Sequence, residues 1–75
     1  MVSKNFSERL KELRIKNNLS QTELGTIIGI KKQSVSDIEH NRIKTTLDNA
    51  ITLAKYFDVS IDYLVGLTDN PEINK

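Results

Sequence analysis

Cysteine is absent from this chain, which removes disulfides, thiolate nucleophiles and Cys-based zinc sites and agrees with a reducing cytosol. Aromatics are scarce: Phe6, Tyr56, Phe57 and Tyr63 are the whole set, and their spacing offers no stacking platform for single-stranded nucleic acid. The single histidine, His40, has no second His and no clustered carboxylate around it in sequence, so it reads as a loop or surface residue, and no metal is expected. No apolar run approaches the roughly 18 residues that a membrane span requires, and neither end carries a signal peptide. A soluble cytoplasmic domain with no membrane partner is therefore expected. Gly-rich phosphate loops, nucleophile motifs and carboxylate pairs within an evident pocket are also missing, so neither enzymatic activity nor a cofactor is expected.

What is present is a short chain that must bury most of its apolar residues. Ordering one residue costs roughly 1.5 kcal/mol, whereas each buried large aliphatic side chain returns about 1.5–3 kcal/mol. With 75 residues, one small domain has room for a core and little room for a cavity. The net charge of +1 conceals an uneven distribution. Up to Lys44, nine basic residues face five acidic ones; from Thr45 onward, two lysines face five acids. Such a split suggests one face for a polyanion and another turned away from it, although solvated charge also segregates by chance.

Met1 to Asn5 reads as a loose arm. Phe6, Leu10 and Leu13 fall at i, i+4 and i+7, which predicts an amphipathic helix from Phe6 to Lys16. Asn17 and Asn18 end it, since Asn tolerates the left-handed conformation that follows helices. Ser20 and Glu23 form the capping-box pattern S-x-x-E, so a second helix starts at Gln21. Leu24, Ile27 and Ile28 face inward, and Leu19 staples the entry. Gly25 costs about 1 kcal/mol relative to Ala inside a helix; either it admits a neighbouring helix at close range or it is a tolerated weak spot. Gly29 stops the helix, and Gly29-Ile30-Lys31 makes the turn.

Val35 and Ile38 give the third helix a narrow apolar stripe and leave most of its circumference polar. A helix so short and thinly anchored does not stand alone. His40 to Lys44 is a polar loop. Thr45 or Thr46 caps a fourth helix with Leu47, Ala50, Leu53, Ala54 and Phe57 on its inner face and Ile51 flanking it. Val59 is a buried plug, Ser60 caps a short fifth helix carrying Ile61, Leu64 and Val65, and Gly66 ends it. Asp69-Asn70-Pro71 breaks any continuation, so residues 1–67 form the domain and 68–75 a tail or the beginning of a linker. No strand is expected, and the fold class is all-α.

Five short helices with a glycine turn between the second and third have the layout of a helix-turn-helix domain. The motifs L-x-x-L-R (Leu10, Leu13, Arg14), L-S-Q-x-x-L (Leu19 to Leu24), Gly29-Ile30, V-S-x-I-E (Val35 to Glu39) and A-x-x-F-x-V-S-x-D-x-L (Ala54 to Leu64) resemble the Cro and lambdoid-repressor family, also called the XRE family. The resemblance runs from Phe6 to Leu64. It implies a compact five-helix domain, a double-stranded operator as partner, binding as a homodimer, and repression of transcription. Carried over by position, Gln21 would bind a backbone phosphate, and Lys32, Gln33, Ser36 and Asp37 would lie where the family reads base edges. Asn41 and Arg42 match phosphate-contacting positions, and Lys44 belongs to the same loop. Arg14 and Glu39 match a structural pair that ties the first helix to the third. Three positions depart from the family pattern: Lys31 replaces the usual Ser or Thr cap, Thr45-Thr46 replaces Pro-Ser, and Gly25 replaces Ala.

Each of these residues also has a plainer reading. Lys31 and Lys32 place positive charge at a helix N-terminus, where it opposes the macrodipole by about 0.3–1 kcal/mol each. A nearby phosphate would turn that cost into a gain; otherwise both are solvated lysines. Gln33 has the geometry for a bidentate bond to adenine, and is equally an ordinary exposed residue. Asp37 either accepts from an amino group such as cytosine N4 or pairs with a nearby lysine or arginine. Ser34 donates to a phosphate or bonds its own backbone. A rival function is a protein-interaction module that docks an antirepressor, a toxin or a polymerase subunit. The dimer surface is expected around Ile61, Leu64, Val65 and Leu67.

Overall fold

The computed structural model describes residues 5–68 and 70–72. Within them the chain forms five helices and no strand: α1 (Phe6–Lys16), α2 (Gln21–Ile28), α3 (Lys32–Glu39), α4 (Leu47–Phe57) and α5 (Ile61–Leu64). The boundaries follow from caps that the side chains supply. Asn5, expected in the arm, instead accepts from the Glu8 amide at 3.0 Å while Glu8 reaches back to the Asn5 amide, a capping box that starts α1. The rest of the expected arm, Met1 to Lys4, lies outside the described residues.

Asn18, left-handed at φ 57°, turns the chain out of α1. The predicted Ser20–Glu23 box then starts α2, with the Glu23 amide 3.0 Å from Ser20 Oγ and the Ser20 amide 2.9 Å from Glu23 Oε1. Hydrogen bonding to its carboxyl, from the Ser20 amide first and the Ser20 hydroxyl second, holds Glu23 below its ordinary pKa. Thr46 rather than Thr45 caps α4, and Ser60 caps α5.

Leu10, Leu24, Val35, Leu53 and Leu64 are fully buried, so all five helices contribute to one core. Leu19, Ile27, Ile28 and Ile30 pack on it as expected, and Val59 closes it between α4 and α5. Two expectations need correcting. Leu47, assigned to the inner face of α4, is 69% exposed. The inward arc of α4 begins at Ala50, while Leu47, in the first turn, lines an open groove with Phe6 and Ile43. Leu64, assigned to a partner-facing surface, is part of the core and available to no partner.

Gly25 lies where α2 meets the turn into α3. Gly29 is left-handed, and the Ile30 amide returns to the Gly25 carbonyl at 2.9 Å. A Cβ on Gly25 would collide with the Ile30 carbonyl oxygen, so close approach is the reason for this glycine. After α5, Gly66 turns left-handed, and the Pro71 carbonyl accepts from the Ser60 amide at 2.9 Å. Part of the expected tail therefore lies back against the α4–α5 junction; Asp69 and residues 73–75 are outside the described set.

Candidate nucleic-acid interface

The α2–α3 pair is positioned by a buried polar node. Glu39, whose side chain is 1% exposed, accepts from Arg14 Nε at 2.6 Å and from a second Arg14 guanidinium nitrogen at 3.1 Å. The remaining Arg14 nitrogen donates to the Leu19 carbonyl at 2.9 Å. Arg14 thereby fixes the end of α3 and the entry to α2 from a single residue of α1. Buried charge pairs with their hydrogen bonds satisfied specify geometry, and removing one partner typically costs about 3–5 kcal/mol.

Gln21 is the third member of this node, which the sequence motifs do not reveal. Its Nε2 donates to Glu39 Oε1 at 3.2 Å. The carboxylate can only accept, so the amide nitrogen faces inward. This bond engages one of the two N–H groups of the Gln21 amide.

α3 begins at Lys32 with Lys31 as its cap residue, and no side chain caps it. Lys31, Lys32 and Gln33 are all exposed, while Ser34, Ser36 and Asp37 are half-buried. Val35, Ile38 and Glu39 occupy the opposite arc, against the core and the Arg14 node. The exposed arc is internally linked. Gln33 Nε2 donates to Asp37 Oδ1 at 3.1 Å, and Arg42 reaches the same oxygen at 3.5 Å. Asp37 therefore follows the ion-pair alternative in the free protein. Ser36 Oγ lies 3.4 Å from His40 Nδ1, and that same nitrogen is 2.8 Å from the Ser36 carbonyl.

Asn41 is left-handed at φ 59° and bends the chain so that the Arg42 amide returns to the Asp37 carbonyl at 2.8 Å. Asn41, Arg42 and Lys44 are exposed in this loop. No group of three or more His, Cys, Asp or Glu side chains suited to a metal occurs among the described residues. None of the described helices is long and apolar enough to cross a membrane.

A helix-turn-helix family model matches residues 10–64. The chain belongs to that family, in its XRE or lambdoid-repressor branch. An uncharacterized HTH-type transcriptional regulator of Bacillus subtilis (strain 168), YobD, is 40% identical over 67 residues, covering 89% of this chain and 60% of that protein. The chain thus spans less than two thirds of that relative's length. The P22 c2 repressor, solved in complex with a synthetic operator, superposes with a TM-score of 0.76 at 27% identity over 84% of this chain and 96% of its own. Hydroxypropylphosphonic acid epoxidase from S. wedmorenis also superposes, with a TM-score of 0.73 at 25% identity, but over only 34% of the enzyme's chain. The likeness to that enzyme is thus confined to part of it. The domain described here is a helix-turn-helix DNA-binding domain of the kind carried by transcriptional regulators.

Within the helix-turn-helix frame, α3 occupies the place of the recognition helix. One buried residue outside the interface escaped the motif reading. Arg9 is 4% exposed and stacks its guanidinium over the Tyr63 ring, 4.0 Å from the centroid, tying α1 to α5. The signal was available: Arg9 stands three residues after Phe6, inside the apolar stripe of α1.

Proposed function

We propose that this domain is the operator-binding part of a transcriptional repressor, which inserts α3 into the major groove and binds a palindromic site as a homodimer. The observation that carries this reading is the uncapped start of α3. Lys31 and Lys32 stand exposed where they oppose the helix dipole, and Lys31 leaves the first amides without a side-chain acceptor. A phosphate there satisfies the amides and both charges together.

Lys32, Gln33 and Ser36 face base edges in this arrangement, and Asp37 lies on the same face of α3, bonded to Gln33 and Arg42. Gln21, Lys31, Ser34, Asn41, Arg42 and Lys44 hold phosphates and fix the register. Half-sites would be centred about 34 Å apart, one turn of duplex. Exposed apolar side chains, Leu67 at 71% above all, supply surface for the second protomer. A protein-docking module would instead use the thinly anchored α3 and the acidic second half of the chain, and that reading predicts no mobility shift with any duplex at moderate salt.

Selection of bound sequences from a random duplex pool tests the proposal directly, and a symmetric consensus is expected. Against the selected site, Gln33→Ala should relax preference at one base pair, at a cost of about 1–3 kcal/mol there. Arg42→Ala should weaken all sequences alike. Binding to random duplex as tight as to any selected sequence would remove the sequence-specific reading.

A further inference from the structure

We propose that Asp37 is a specificity-determining positioning residue, which sets the amide of Gln33 for base reading and holds Arg42 back from phosphate in the free protein. One oxygen, Oδ1, serves both residues, at 3.1 Å from Gln33 Nε2 and 3.5 Å from the Arg42 guanidinium. The role rests on the assignment of Gln33 to a base edge and Arg42 to the backbone.

An ionised carboxylate accepts and never donates, so Gln33 must turn its nitrogen toward Asp37. The opposite flip would set two oxygens against each other. With one N–H engaged, Gln33 keeps its other N–H and its Oε1, the donor and acceptor that a bidentate adenine contact requires. Gln33 is exposed, and Asp37, one helical turn on, is what restrains its amide.

The Arg42 side chain is 64% exposed and that of Asp37 26%, so their pair is open to exchange. Exposed ion pairs contribute little and are easily displaced. The Arg42 amide bonds the Asp37 carbonyl at 2.8 Å, which keeps the loop beside α3 while the guanidinium changes partner. Asp37 therefore opposes every duplex equally through Arg42, and favours the matching base pair alone through Gln33.

The test is Asp37→Asn in the whole chain, alone and combined with Gln33→Ala, measured against the selected duplex, single-base variants of it, and random duplex. Asn is isosteric, but its amide can donate as well as accept, so it no longer dictates the flip of Gln33. Random-duplex affinity should rise about two- to fivefold as Arg42 is released. Affinity for the selected site should rise less, so that the specific-to-random ratio falls about threefold. That loss should concentrate at the base pair where Gln33→Ala also relaxes preference, and it should vanish in the Gln33→Ala background.

Equal gains on both duplexes would make Asp37 a simple repulsive charge and overturn the proposal. A loss at a different base pair that persists without Gln33 would make Asp37 itself a reader, with the same consequence. If Gln33→Ala alone leaves discrimination intact, the base-edge assignment of Gln33 falls first, and the role of Asp37 falls with it.

Discussion

A Cβ at Gly25 would strike the Ile30 carbonyl oxygen and press on Val35 Cγ2 at 3.3 Å. Alanine is the better helix former by about 1 kcal/mol, while forcing extra volume into a packed junction costs typically about 1–3 kcal/mol. Because the first obstacle is backbone, Gly25→Ala is expected to destabilise the domain by about 1 kcal/mol, read as a lower urea midpoint. A higher midpoint would return Gly25 to the status of a tolerated weak spot. Single residues were unevenly legible. The Arg14–Glu39 pair was implied by family position, and its bidentate geometry matches. Gln21 as a third partner of Glu39 was not legible, because an amide's choice among acceptors depends on a rotamer that spacing does not encode. Arg9 was hidden by its charge, although its place in the stripe of α1 and a tyrosine elsewhere in the chain were both there to read.

Among the helices, α3 departs most from local rules. Its cap residue is a lysine with no side-chain hydrogen bond to the helix, whereas α1, α2, α4 and α5 all have side-chain caps. Lys31→Ser supplies the missing acceptor and should stabilise the free domain by about 1 kcal/mol. The same change should weaken duplex binding and reduce the log–log salt slope by about 0.9, the loss of one neutralised phosphate. Thermal melts and a salt titration together check both halves. A stability gain with an unchanged slope would make Lys31 an ordinary solvated lysine. Helix existence and order were legible throughout, because apolar period and turn residues agreed. The differences lie at helix starts: Asn5 caps α1 instead of belonging to a loose arm, and Leu47 in the first turn of α4 faces outward, because capping geometry and the packing of neighbouring segments override the period there.

For the whole molecule, measuring 31 × 23 × 22 Å, the open question of assembly falls on its exposed apolar residues. Leu64 is spent in the core, so a second protomer would meet Leu67 and its surroundings instead. Leu67→Glu is expected to shift sedimentation toward monomer and to weaken the selected duplex more than a single half-site, with the melting temperature preserved. Unchanged sedimentation would move the dimer contact elsewhere, Leu47 being the next candidate. The stacking of Arg9 on Tyr63 has a temporal consequence as well. It joins the first helix to the last, and α5, four residues long, cannot persist undocked. A chain emerging from the ribosome can pair α2 with α3 early through short-range contacts, but its core stays open until Leu64 and Tyr63 arrive. The core is thus expected to close in one step, when α5 docks on α1 and α4.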